Sequence, residues 1–179
     1  MRSPKPYTNE AFTKRVDHEA GRHRPSRSSA EPKRCTGCGA VYVRRRWRPA
    51  GTPAPLPVRG IAAPDPTICP ACRMIADGRF SGEVRLQGSF VAAHRSEIER
   101  LISNEAERAG ADNPLARIIV WLDEPKYVAV RTTTEHLAQR LGEALHGAFH
   151  GRVHYGFSHE NKFAHVTWHR DLPETEQES

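Results

Sequence analysis

Four cysteines are the residues of this chain whose type and spacing predict chemistry most directly. They form two pairs, Cys35-x2-Cys38 in CTGCG and Cys69-x2-Cys72 in CPAC, separated by thirty residues. Two thiolates three positions apart on a tight turn face one ion. Two such turns brought together make a zinc ribbon, with the tetrahedral sulfur set of a structural zinc at Zn–S distances of about 2.3 Å. Gly37 and Gly39 give the first turn backbone freedom, and Pro70 stiffens the second. Four thiolates fill the coordination sphere, so the one zinc expected here organises structure and leaves no position for water or substrate. A redox motif needs a CxxC at the start of a helix, and the sequence places neither pair there.

A second constellation follows the first pair directly. In AVYVRRRWRP, alternation from Val41 to Trp47 predicts a single outgoing strand, with Tyr42, Arg44 and Arg46 on one face and Val41, Val43, Arg45 and Trp47 on the other. Arg44, Arg45, Arg46 and Arg48 around Trp47, joined by Arg73, suit phosphate contacts and base stacking and are the candidate RNA-binding residues. Tyr42 is expected to pack beneath the metal site. Arg34, Arg59, Arg79 and Arg85 add to the same basic region. No helix-turn-helix spacing, P-loop or RNP signature is present, so backbone and shape recognition of the ribosome or another structured RNA is the expected mode.

Ten histidines form the third group. His146 and His150 are spaced to share a helical face. His154, His165 and His169 fall on one face of a predicted hairpin and are a possible secondary site for RNA, a second metal or a protein partner, against the plain alternative of a polar sheet face. Nothing pairs a nucleophile with an oriented base, so the chain reads as a non-enzyme. The rival from another class is a metal-dependent or redox enzyme using the histidine face. A third reading is a protein-interaction adaptor whose basic charge meets an acidic partner without RNA.

The elements that must hold these residues emerge from Phe80 onward. A strand is predicted over Gly82 to Gln87. Ser89 caps a helix to about Ala109 with Val91, Ile98, Leu101, Ile102 and Ala109 inward, and Gly110 ends it. A hairpin turns around Asp123 to Lys126. Thr133 or Thr134 caps a second helix with Leu137, Leu141, Leu145 and Ala148 on one face, stopped at Gly151. In the last hairpin, a two-residue turn at Glu160 and Asn161 opposes Phe157 to Ala164, Tyr155 to Val166 and Val153 to Trp168, an apolar face throughout, whereas a longer turn mixes the faces. The fold class is therefore α+β: a zinc ribbon followed by a ferredoxin-like antiparallel sheet, βαββαβ plus one C-terminal strand, with two helices.

Charge divides the chain. Residues 1–33 carry eight Lys and Arg against four Asp and Glu, residues 34–85 nine against three, and residues 86–179 ten against fourteen, so the three parts hold +4, +6 and −4. A basic front suits a polyanion, and the acidic back suits a protein partner. Mean hydropathy is −0.66 and no apolar run reaches membrane-spanning length, which predicts a cytoplasmic protein with no membrane contact. The expected organisation is a flexible basic arm over 1–33, the zinc ribbon over 34–79 with a Pro-rich insertion at 48–66, the ferredoxin-like domain over 80–170 and an acidic tail over 171–179.

CTGCG, then CPACR, then FSG and EVRLQG, resemble the small bacterial proteins related to the zinc-bearing N-terminal region of the large ribosomal subunit nuclear-export adaptor family. The likeness spans roughly residues 34 to 90, where Cys35, Cys38, Cys69 and Cys72 match the family's metal-ligand pattern. It implies a ribosome-binding adaptor with rRNA or ribosomal-protein contacts. This chain has a single ribbon, a basic arm and no evident export segment, so the implied role is ribosome assembly, quality control or stress-linked ribosome binding.

Overall fold

In the computed structural model, which describes residues 32–52, 65–158 and 162–173, the protein is an α+β molecule with two mixed sheets and four helices among those residues. The chain divides into two units, Met1–Ala30 and Glu31–Ser179, and all described residues belong to the second. Almost all of the expected basic arm lies outside the described residues. So do residues 53–64 of the Pro-rich insertion, the Glu160–Asn161 turn and residues 174–179 of the tail.

The smaller sheet contains β1 (Lys33–Cys35), β2 (Val41–Val43), β3 (Arg46–Arg48) and β4 (Asp65–Thr67), in the order β3-β2-β1-β4. β1 runs antiparallel to β2 and parallel to β4. The single strand expected from Val41 to Trp47 is instead a hairpin. Arg44 and Arg45 take φ of 50° and 62°, the left-handed pair of a two-residue turn whose twist matches the flanking strands. Tyr42 and Trp47 consequently face each other on the same side, with ring centroids 5.4 Å apart, and Val43 opposes Arg46. Alternation cannot reveal such a turn when both turn residues are arginines rather than Asn or Gly.

Helix α1 (Pro70–Ala76) follows β4, with Cys69 as its N-cap and Pro70 at the first helical position, where no N–H is required. The second CxxC therefore does begin a helix, contrary to the sequence expectation.

The larger sheet contains β5 (Gly82–Gln87), β6 (Ile118–Glu124), β7 (Tyr127–Thr132), β8 (Arg152–Ser158) and β9 (Phe163–His169), in the order β6-β7-β5-β9-β8. β5 pairs antiparallel with β7 but parallel with β9, so the expected antiparallel sheet is mixed. The cause is the extra strand. β8 takes the edge, and β9 folds back beside β5 in its own direction. Phe157–Ala164, Tyr155–Val166 and Val153–Trp168 are paired as the apolar pattern requires. β6 and β7 turn at Pro125 and Lys126.

Three short-range expectations are corrected. The first helical segment is split into α2 (Ser89–Ala93) and α3 (Arg95–Asp112) by non-helical backbone at His94 (φ −116°, ψ 27°), whose ring stacks on Phe90 with centroids 4.0 Å apart. Gly110 lies inside α3. The helix ends before Asn113 because Pro114 disfavours helical backbone at the preceding residue. Helix α4 (Glu135–Phe149) is capped by Thr134, whose hydroxyl accepts from the Leu137 N–H, but Ala148 is exposed rather than inward. Ile98, Ile102, Leu137, Leu141 and Leu145 bury one face of the helix layer against Val84, Leu86, Val130, Val166 and Trp168. α4 approaches the sheet so closely that a Cβ on Gly142 would lie 2.6 Å from Val166 Cγ1.

Candidate metal centre and basic hairpin

Two local structures carry the four sulfurs to one point. The first is the turn between β1 and β2, closed by the Cys35 N–H donating to the Ala40 carbonyl at 2.8 Å and the Gly39 N–H to the Cys35 carbonyl at 2.9 Å. The second is the first turn of α1. A parallel ladder registers them, pairing Cys35 with Thr67 two residues before Cys69. A Cβ on Gly37 would lie 3.1 Å from Cys72 Sγ, so the close approach of the two turns uses the space that glycine leaves.

Cys35, Cys38, Cys69 and Cys72 place their Sγ atoms all within 4.8 Å of one another, and none forms a disulfide. Cys38 Sγ and Cys69 Sγ are 3.7 Å apart. The edge of a sulfur tetrahedron around an ion at a zinc–thiolate distance of about 2.3 Å is about 3.8 Å, so the spacing fits a metal. Cys35 and Cys69 are fully buried, in a small apolar cluster with Ala40 and Ala71 against which Trp47 and Leu115 pack.

Electrostatics favour thiolate at this point only in part. Burial works against ionisation of Cys35, but N–H donors from Cys69, Cys38 and Gly37 outweigh it and bring the thiol down to about 6. The Cys69 N–H donates to Cys35 Sγ at 3.2 Å. Burial pushes the Cys69 and Cys72 thiols up. A divalent cation would allow four thiolates to occupy so small a buried volume.

Arg117 is a contact that sequence reading missed. Its Nη1 donates to Cys72 Sγ at 3.3 Å from the segment leading into β6. That segment is fixed by Thr133, whose hydroxyl accepts from the Arg117 N–H at 2.8 Å and donates to the Leu115 carbonyl at 2.5 Å. No motif marks Arg117, because the pairing spans forty-five positions and depends on where β6 begins.

The candidate RNA-binding residues sort by burial. Arg44, Arg45, Arg46 and Arg48 are exposed along the β2–β3 hairpin, and Arg73 is exposed on α1. Trp47 is half-buried against Tyr42 and the cysteine cluster, so part of its ring is committed to packing, and Tyr42 is buried as expected.

The histidines behave differently. His154, His165 and His169 do share the helix-free face of the larger sheet, opposite Thr167, Gly156 and Arg152 respectively. They do not assemble as ligands. Among the described residues, the four cysteines are the only group of three or more His, Cys, Asp or Glu whose ligand atoms come together. Burial, then the Arg85 guanidinium, hold His165 below its ordinary pKa, partly offset by Glu83. No described helix is long and apolar enough to cross a membrane. Compared with protein-family models, with curated proteins and with solved structures, the chain matches none.

Proposed function

We propose that this protein is a non-catalytic, zinc-holding RNA-binding factor that engages the ribosome or another structured RNA through its β2–β3 hairpin. The observation that carries the reading is the Arg44–Arg45 turn. Two arginines occupy left-handed backbone that costs roughly 1 to 2 kcal/mol per residue and that Asn-Gly would adopt freely. Strain of this kind persists where the displayed side chains serve a purpose. The cysteine centre roots both strands of that hairpin, so zinc would act by stiffening the arm that presents Arg44, Arg45, Arg46 and Arg48 to phosphates.

The kinship with the ribosomal export-adaptor family belongs to the same proposal, resting on CTGCG and CPACR, and with it a cytoplasmic role in ribosome assembly, quality control or stress-linked binding. The order β6-β7-β5 with both long helices on one face supports a ferredoxin-like reading of that part of the larger sheet, from which β9 departs by lying parallel beside β5 where β8 would be expected. A hairpin and a capped helix hold the sulfurs, so the metal unit is a variant of the two-knuckle ribbon.

The test is cosedimentation with ribosomes over a salt series. Replacing Arg44, Arg45, Arg46 and Arg48 by alanine is expected to weaken binding and flatten the salt dependence, since each phosphate contact contributes about one unit to the slope on duplex nucleic acid. Equal cosedimentation of the variant and the natural protein at every salt concentration would overturn the reading.

A further inference from the structure

The charge asymmetry seen along the chain is also an asymmetry across the larger sheet. Residues 86–179 are net acidic, but their helices carry much of the acid: Glu97, Glu99, Glu105, Glu107 and Asp112 on α3, and Glu135 and Glu143 on α4. The opposite face follows from strand alternation, because Val84, Leu86, Val130, Val166 and Trp168 point into the helix layer. Across the five strands that face carries Arg85, Arg131, Arg152 and the three histidines against two acids, the buried Glu83 and, on the edge strand β6, Glu124.

Glu83 does not cancel this charge; it arranges it. Its residue is 5% exposed, and its two carboxylate oxygens accept separately, Oε1 from Arg85 Nε at 2.8 Å and Oε2 from Arg131 Nε at 3.1 Å. Each guanidinium also lies over an aromatic ring, Arg85 over Tyr127 with 4.8 Å to the centroid and Arg131 over Phe80 with 4.2 Å. Both are therefore anchored through Nε and one flat face, while the outer nitrogens have no other acceptor among the described residues. A buried carboxylate that spends itself fixing two arginines leaves a local excess of positive charge.

We infer that this helix-free sheet face is a second binding surface, for single-stranded RNA, with Arg85 and Arg131 as prepositioned phosphate clamps. The inference deepens the proposed RNA-binding function and rests on it. Phe163 and Tyr127 stand six residue rows apart along the strands, which at about 3.3 Å per residue spans about 20 Å of sheet, a track for several nucleotides. Flat sheets that combine fixed cations with half-exposed aromatics bind unpaired bases by stacking and phosphates by charge-assisted hydrogen bonds. An acidic peptide would use the arginines but has no use for the aromatic ends.

The experiment measures binding of the full-length, metal-loaded protein to a fluorescent oligouridine by anisotropy over a potassium chloride series. The variant is the triple change Glu83→Gln, Arg85→Gln, Arg131→Gln, which leaves no orphaned buried charge. Thermal melting and metal content confirm that it folds. The expected result is an affinity about tenfold lower and a salt slope shallower by about 1.4, two single-strand phosphate contacts. A hairpin variant, R44A/R45A, is measured beside it on ribosomes. A folded triple variant that binds oligouridine like the natural protein overturns the sheet inference, and loss of ribosome binding in the hairpin variant then shows that the proposed function survives. Failure of the natural protein to bind either RNA overturns both. Sheet-dependent binding of polyglutamate in place of oligouridine overturns the RNA inference in favour of an acidic protein partner. If the triple variant does not fold, R85Q alone is measured, and an unchanged affinity and slope overturn the inference.

Discussion

At the scale of single residues, the side chains around the candidate metal centre have different parts. The four cysteines supply the donors, and Arg117 supplies a cation to their combined negative charge through its contact with Cys72 Sγ. Outer contacts of this type fix ligand orientation, and their loss typically weakens metal affinity by about 10- to 100-fold. Arg117→Ala should therefore release zinc to a competing chromogenic chelator at a lower chelator concentration than the natural protein. Arg117→Lys should recover part of the loss, because it restores the charge but not the planar donor geometry. An unchanged competition curve for R117A would show that the guanidinium merely rests against the sulfur.

At the scale of elements, the β2–β3 hairpin separates stability from function. Replacing its turn by the residues that such turns prefer, Arg44→Asn with Arg45→Gly, should stabilise the protein by roughly 1 kcal/mol or more, read in chemical denaturation, while weakening ribosome binding. Gain of stability with binding retained would remove the purpose assigned to the strained arginines. The same hairpin shows where the sequence is legible and where it is not. The periodic signal of α3 and α4 locates their buried faces, since Ile98, Ile102, Leu137, Leu141 and Leu145 recur at helical spacing and all are buried. The β8–β9 register is legible because a one-residue slip would turn Trp168 outward. Arg44 and Arg45 are not legible as a turn, because alternation continues through them and only their backbone angles betray it. The start of α1 at Cys69 is missed for a related reason: the helix is seven residues long, too short to show a period. The position of β9 beside β5 depends on a long-range choice between edge and interior that no local pattern encodes.

At the scale of the whole molecule, two apolar clusters have different sources of stability. The sheet and its helices bury a core of Leu, Ile, Val and Trp168, whereas the cysteine region buries only Ala40, Val41, Tyr42 and Ala71 besides its own cysteines. A cluster that small would gain its stability from a metal held by the four cysteines. Chelation at neutral pH should therefore raise amide exchange in residues 33–48 and 65–76 while leaving β5, β7 and β9 protected. Equal loss of protection in both regions would mean that the metal supports the entire unit. Charge is divided at this scale as well, with acid on the helix layer and arginine on the hairpin and on the open sheet face. The most direct test of the central claim is affinity copurification of the intact protein with and without nuclease. Ribosomal or other structured RNA should copurify with it, and nuclease should release the associated proteins; partners that persist unchanged after nuclease, with no RNA recovered beforehand, would contradict an RNA-binding function.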